Sequence, residues 1–463
     1  MRSDVAETAA AKPASGPVSY PPYRAPWFAS RVWGVLLCAA YPLLILTPLA
    51  LLAILSPGSH HPPLVEIGMD CALVAFPILA LQFVIAARLR WLEAPFGLDV
   101  VLQFHRIMAF VALTLLCAHP LLVSAGESWG LLTRWNVRWP IWAGRLALLV
   151  LVAQITTAIF RRIMRLRYET WRRLHNGVAF LLLGLALLHS LTLGHDLEGR
   201  AAKMIWVAFP LVAGSAWCYS RLARPWLLSR RPYRILSIRP EAPRVWTLTL
   251  SPRGNLTLDF APGQFQFLRL HGRGISAEEH PFSLASSPLP DGRIRVTVKE
   301  CGDFTSTIGR IKPGDLATVH GPFGRFSHVF HPSNDLVFIA GGIGITPLMS
   351  MLRYMRERRD PRRVLLVYAN RTAADIVFRS ELESLESGGF PTLRTIHVLS
   401  EPTPDWVGHT GRLDRSSLEA FCGGFAGKTF FLCCPPAMTA GLIRGLKQSG
   451  VGLELIHTDY FGL

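Results

Sequence analysis

Six long apolar runs fill the first half of this 463-residue chain and leave it few architectures to choose from. They lie at approximately Val32–Leu55, Met69–Ala87, Val100–Val123, Ile141–Phe160, Leu174–Leu193 and Met204–Tyr219. Each is near the ~20 residues a helix needs to cross the hydrocarbon of a bilayer. A helix is the element that satisfies its own backbone polar groups there, and the prolines inside the runs (Pro42, Pro48, Pro77) are tolerated where neighbours take up the freed carbonyls. The predicted fold of residues 31–222 is therefore an all-α six-helix bundle in a lipid bilayer.

Charge then orients the bundle. The formal charge is +17, and a chain this basic raises nucleic acid as a partner. The arginines instead crowd the ends of apolar runs, where they mark the cytoplasmic side, so no nucleic-acid partner is expected. RRIMRLRYETWRR (161–173) carries six arginines, Arg88 and Arg90 follow the second run, and Arg221, Arg224, Arg230 and Arg231 follow the sixth. The loop SPGSHHPPLVEIG (56–68) has no Lys or Arg. This pattern predicts a six-span protein of the cell (inner) membrane with both termini cytoplasmic. The first thirty residues are rich in Ala, Pro and Ser, which predicts a disordered tail, residues 1–30. The eight cysteines show neither zinc-site nor iron–sulfur spacing, and no CxxCH is present.

The texture changes near Arg231. Short alternating runs such as VWTLTL, FQFLRL and RIRVTVKE, separated by PRGN, APGQ and PDGR, predict an antiparallel β-barrel over residues 231–330. From residue 333 to 463 strands alternate with helices (LVFIA, PLMSMLRYMRER, RVLLVYAN, RTIHVLS, KTFFLCCP), which predicts an α/β domain on a parallel sheet.

Four histidines in the apolar half share one spacing. His105 and His119 lie fourteen residues apart in the third run, and His175 and His189 fourteen apart in the fifth. At 1.5 Å and ~100° per residue, fourteen residues rise about 21 Å and return to within about 40° of the same face. Both runs traverse the membrane in the same direction, so His105 pairs in depth with His175, and His119 with His189. Two levels of facing imidazoles suit two stacked b-type haems with bis-histidine axial ligation. A polar ring in lipid is costly unless it faces the interior and has a partner. Arg106, Arg172 and Arg173 lie beside the cytoplasmic level, within reach of haem propionates.

In the second half, HPFSLASS (280–287) ends a barrel strand and offers the Phe282 ring and Ser283 hydroxyl together, suited to a flavin. CGDFTSTI (301–308), with Gly302, Thr305 and Ile308 in frame, reads as the start of a helix whose free N–H groups receive a phosphate. AGGIGITPLMSML (340–352) follows a strand and opens a helix. Gly341, Gly342 and Gly344 let the backbone approach a pyrophosphate, with Pro347 where a last glycine is usual. Arg371, past the strand RVLLVYAN, suits the 2′-phosphate of NADP.

Together these stretches resemble the ferric reductase/NADPH oxidase superfamily, in its prokaryotic NADPH-oxidase type. The resemblance implies that His105, His119, His175 and His189 ligate two haem b. It implies that His280, Pro281, Phe282 and Ser283 match the flavin motif and that Gly302 and Thr305 belong to the FAD-phosphate motif. It assigns Gly341, Gly342, Gly344, Thr346 and Pro347 to the nicotinamide-nucleotide loop. CCPP resembles the family's Cys-Gly-Pro, with Cys433 beside the nicotinamide. Cys434 stands in place of glycine, where a side chain is expected to crowd the ring. HTDYFGL resembles the family ending, with Asp459 for the usual carboxylate and Phe461 as the aromatic over the flavin. The implied enzyme moves electrons from cytoplasmic NADPH through FAD and two haems to an outside acceptor, dioxygen giving superoxide. A ferric-chelate reductase, or a reductase for a periplasmic partner protein, is the alternative.

Overall fold

The computed structural model of the chain describes residues 23, 25–55, 61–193, 197, 199–254, 258–272, 274–276, 278–288, 291–331, 333 and 335–459. Two compact units emerge, one of Ala25–Arg231 with Phe323–Arg325, the other of Pro232–Pro322 and Phe326–Leu463. Of the tail expected to be disordered, residues 1–22 and 24 lie outside the described residues, and Trp27–Ala29 form a 3₁₀ turn.

The first unit is helical: α1 (Arg31–Leu55), α2 (Pro63–Ala86), the short α3 (Arg90–Glu93), α4 (Leu98–Gly126), the short α5 (Gly130–Thr133), α6 (Trp139–Phe160), α7 (Tyr168–Leu193), α8 (Arg200–Cys218) and α9 (Arg224–Ser229). Among the described residues six stretches are long and apolar enough to cross a bilayer. The second begins at Pro63, six residues before the Met69 expected from hydropathy. Proline fits the first helical position, where its missing N–H is not needed, and Glu66 suits the positive end of the helix dipole. Hydropathy alone penalises that acid and starts the run late. The sixth continues through a π-helical turn, Tyr219–Ala223, to Ser229.

Inside the bundle, Phe76 of α2 stacks on Trp206 of α8 with ring centres 4.5 Å apart, and the Trp206 indole donates to Ser190 Oγ of α7. Ile78, Leu79, Ala112, Ala147, Leu151 and Leu182 form a second core joining α2, α4, α6 and α7. Outward residues such as Val35, Leu149 and Leu211 are exposed leucines and valines, as a lipid-facing surface requires. α4 packs closely along α2 and α7 along α6, whereas α4 and α7 approach each other far less.

The second unit opens with β1 (Tyr233–Ala242), β2 (Val245–Pro252), β3 (Phe265–His271), β4 (His280–Ser283), β5 (Ile294–Lys299) and β6 (Leu316–Phe323). They form one antiparallel sheet in the order β4-β3-β6-β1-β2-β5. A Leu284–Val296 bridge joins the two edges, which closes the barrel. Alternation drives this: Ile235, Leu248, Leu250, Leu268 and Val296 all point into one core.

Next come β7 (Asp335–Gly341), α10 (Ile345–Glu357), β8 (Arg363–Asn370), α11 (Arg379–Ser387), β9 (Thr392–Leu399), β10 (His409–Thr410), α12 (Arg415–Cys422), β11 (Lys428–Cys433), α13 (Pro436–Gln448) and β12 (Ile456–Thr458). The strands run parallel in the order β10-β9-β8-β7-β11-β12. Leu348, Met351 and Leu382 of α10 and α11 cover one face; Leu418, Leu442 and Leu446 of α12 and α13 cover the other. The order reverses between β7 and β11, so their carboxyl ends flank the crevice where such sheets take ligands.

Candidate functional site

In the helical unit, the helical rise sets all four histidines on two levels. The His105 and His175 rings face each other with centres 6.5 Å apart, and those of His119 and His189 with centres 6.2 Å apart. Two imidazoles bound to opposite sides of one metal ion, each nitrogen about 2.0–2.1 Å from it, would set ring centres roughly 6 Å apart. Among the described residues no cluster of three or more His, Cys, Asp or Glu side chains could hold a metal ion. A porphyrin is one source of the further ligands that a metal held by either pair would take.

What stands behind the rings was not readable from the sequence. His119 Nδ1 lies 2.8 Å from the Gly68 carbonyl of α2, and His189 Nδ1 lies 2.8 Å from the Pro140 carbonyl of α6. A carbonyl only accepts, so each Nδ1 carries the proton and each Nε2 keeps a lone pair for a metal. Trp171 packs at 5.0 Å from His175, and the Arg161 and Arg172 guanidiniums lie against the Tyr168 ring.

The residues expected to meet a flavin lie in the barrel. β4 pairs with β3 in the register Phe265↔Ser283, Gln266↔Phe282 and Leu268↔His280. Phe304 stacks on His280 at 3.8 Å and sits 6.2 Å from Phe282, so it brings the HPFS and GDFT stretches together. Sequence reasoning gave Phe304 no part. Ser283 Oγ and the Gln266 carboxamide are buried with no hydrogen-bond partner. Such an unmade bond costs about 1–3 kcal/mol, which a polar ligand such as FAD would recover. The stretch after Gly302 is helical but short. It forms a six-residue 3₁₀ turn, Thr305–Arg310, in which the Ser306 and Thr307 amides already bond Gly302 and Phe304 carbonyls. Thr305 Oγ1 accepts from the Cys301 amide, leaving it as a brace of this turn.

At the carboxyl ends of β7 and β11 the glycine loop meets the cysteines. A Cβ at Gly344 would stand 1.9 Å from the Cys433 carbonyl oxygen, and one at Gly341 2.5 Å from Pro435 Cδ. These glycines are required first by contact with the neighbouring strand end, not by the pyrophosphate alone; Gly342 is required by its φ of 54°. Thr346 Oγ1 donates to the Ile343 carbonyl, and Pro347 sits in the first turn of α10, where an N–H is not needed.

Cys433 is fully buried beside Gly344, and burial, with Asp459 nearby, pushes its thiol well above the ordinary range. Cys434 lies beside the loop, its Cβ 3.3 Å from where a Cβ at Gly341 would stand. Successive strand side chains point to opposite faces, and its Sγ turns into the α12–α13 side of the sheet, donating to the Ile339 carbonyl. Arg371 is exposed and paired through two contacts of 3.2 Å with Glu401, a partner the sequence did not suggest. Phe461 lies outside the described residues.

One buried device ties the flavin barrel to the nucleotide domain. Arg353 of α10 donates to the Ala285 carbonyl, just past Ser283, and to both carboxylate oxygens of Glu381. Ser350 Oγ donates to the Ser286 carbonyl at 2.6 Å and accepts from the Gly263 amide. The helix that begins at the glycine loop is thereby locked to the segment that follows the flavin motif.

Comparison with known proteins follows the same division. Residues 71–186 match a family described as ferric reductase like transmembrane component, residues 244–312 an FAD-binding domain, and residues 338–443 an oxidoreductase NAD-binding domain. The chain is similar to the glycine betaine monooxygenase reductase subunit of Chromohalobacter salexigens, 28% identical over 244 residues, covering 51% of this chain and 66% of that protein. It is also similar to the reductase component of propane 2-monooxygenase from Mycolicibacterium goodii, 29% identical over 236 residues, covering 49% of this chain and 66% of that protein. The chain therefore spans just under two thirds of the length of either relative. Among solved structures, the Flavohem-like FAD/NAD-binding domain of nitric oxide dioxygenase from Vibrio cholerae is 22% identical, covering 50% of this chain and 99% of that one with a TM-score of 0.45.

Proposed function

We propose, from the premise that this flavin- and nicotinamide-dependent membrane oxidoreductase has the ferric reductase/NADPH oxidase-like architecture, that it carries electrons from cytoplasmic NADPH across the inner membrane to an acceptor outside. The acceptor we favour is dioxygen, giving superoxide. The observation that carries this reading is the pair of facing histidines at each of two levels, with ring centres 6.5 and 6.2 Å apart. When bound, flavin accepts a hydride and releases its electrons singly to haem iron, which takes one at a time.

The chain's own part is to hold these groups in order. His105 with His175 would ligate the inner haem, and His119 with His189 the outer. Ser283 and Gln266 offer unmet hydrogen bonds to a flavin at the strand β3–β4 edge. Gly341–Gly344 and the first turn of α10 would receive the nicotinamide nucleotide, and Cys433 would stand by its ring as a neutral thiol. The arginines of 161–173 argue that this end of the bundle is cytoplasmic.

Absorbance spectroscopy and stopped-flow reduction by NADPH test the reading on detergent-purified protein. Low-spin haem bands should appear without air and vanish in air with superoxide detected. Reduced haem that persists in air until a ferric chelate is added would replace dioxygen with the chelate as acceptor. Activity seen only with an added periplasmic protein would make that protein the acceptor. Protein purified after haem-supplemented expression yet lacking haem bands would sink the electron path.

A further inference from the structure

The two histidine pairs differ in what backs the rings. His119 and His189 each direct Nδ1 at a main-chain carbonyl, of Gly68 and Pro140, at 2.8 Å. The Nδ1 atoms of His105 and His175 are buried and have no hydrogen-bond partner. One pair is thus electronically supported from behind and the other is not.

Access to the Pro140 carbonyl is built into α6. Gly144 lies one turn beyond Pro140, and a Cβ there would stand 2.7 Å from both Cε1 and Nδ1 of His189. The bare backbone at Gly144 is what lets the imidazole reach that oxygen. Gly68 offers its own carbonyl, and a Cβ there would press on Val123 Cγ2, Leu122 Cβ and the His119 carbonyl at 3.0–3.1 Å. Its lack of a side chain lets α2 and α4 come close enough for the His119 bond.

Resting on the haem reading above, we infer that His119 and His189 are the more electron-donating ligand pair and hold the outer haem iron at a lower potential than His105 and His175 hold the inner one. An N–H that donates to a carbonyl raises the basicity of the opposite ring nitrogen toward the metal. Ferric iron gains more from a stronger donor than ferrous iron does, so the oxidised state is favoured; hydrogen bonding behind the axial ligand is one of the levers a protein has on haem potential. The last centre in line is then the stronger reductant, which suits dioxygen, whose first one-electron reduction is its least favourable.

Potentiometric titration of the haem-loaded full-length protein, followed by its absorbance bands, tests this in wild type and Gly144→Ala. The added methyl moves the His189 ring off the Pro140 carbonyl. Wild type should titrate in two one-electron steps. In the variant the lower step should rise by about 59 mV, the equivalent of a tenfold change for one electron, while the upper step stays in place. Tenfold is the smaller end of what partners behind a metal ligand contribute. With both haems bound, movement of the upper step alone, or of neither, would overturn the inference and leave the haem reading intact. Should Gly144→Ala not fold, His105→Ala and His189→Ala each keep one haem. The haem left in His105→Ala should titrate below the one left in His189→Ala, and the reverse order overturns the inference. Wild-type protein without haem bands overturns the reading itself, and this inference with it.

Discussion

Arg371 holds its guanidinium against Glu401 rather than open to a ligand. On the proposed reading, a 2′-phosphate taken by Arg371 would have to displace that carboxylate, and the two residues would set the nucleotide preference together. Arg371→Ala should raise the KM for NADPH about two- to fivefold more than that for NADH, the range an exposed ion pair supports. Glu401→Gln should lower the KM for NADPH alone; equal effects on both nucleotides would remove the specificity argument. Cys433 carries a pH prediction. Burial, then the Asp459 and Cys434 charges, raise its thiol well above the ordinary value, so it is protonated from about pH 6 to 9. Cys433→Ser should lower kcat without changing the shape of the pH profile across that window. A basic limb present in wild type and lost in the variant would show that the thiol ionises after all.

At the level of elements, the α10 clamp holds the helix after the glycine loop against the segment that follows HPFS. Arg353 is nearly fully buried and fully engaged by Glu381 and Ala285. Arg353→Met leaves the part-buried Glu381 carboxylate without its partner and should cost about 1–3 kcal/mol of stability, measured by denaturant unfolding. Burial alone would raise the Glu381 carboxyl, but the Arg353 hydrogen bonds and charge outweigh it and hold the group below its ordinary value of 4.5. Its contribution is therefore present above pH ~4.5 and lost as pH falls through the folded value. The stability gap between wild type and Glu381→Gln should close on acidification; a constant gap would show that the carboxylate charge is not what stabilises. Gly344→Ala puts a methyl into the Cys433 carbonyl, and the loop or β11 must move. Nicotinamide-nucleotide binding should fall at least tenfold by fluorescence titration, and unchanged binding would mean that the loop yields without consequence.

For the whole molecule, each unit carries its own core. The helical cores draw on residues between Ile45 and Ala213, and the sheet cores on residues from Tyr233 onward. A fragment beginning at Pro232 should fold, bind one flavin and pass electrons from NADPH to a soluble dye without haem. Failure of that fragment to fold, while full-length protein is stable, would show that the two units stabilise one another. The helical unit in turn holds all four of the paired histidines.

The sequence by itself determined the classes of element and the depth of the histidines, because both follow from periodicity. Apolar runs of bilayer length, alternation of period two and a fourteen-residue interval on a helix are local quantities. The HPFS, GDFT and AGGIGITP stretches are also local patterns, since each lies on one short strand end or turn. Only the tertiary structure decided what lies across a gap from each of these residues. That Gly68 and Pro140 lend carbonyls to His119 and His189, that Phe304 joins two motifs, and that Glu401 occupies Arg371 all depend on segments distant in sequence. That Cys434 Sγ turns to the α12–α13 side of the sheet follows from strand phase, which is fixed only once β11 is seated between β7 and β12. Long-range pairing has no signature in a local pattern, because the same side chain satisfies the same pattern whatever stands opposite it.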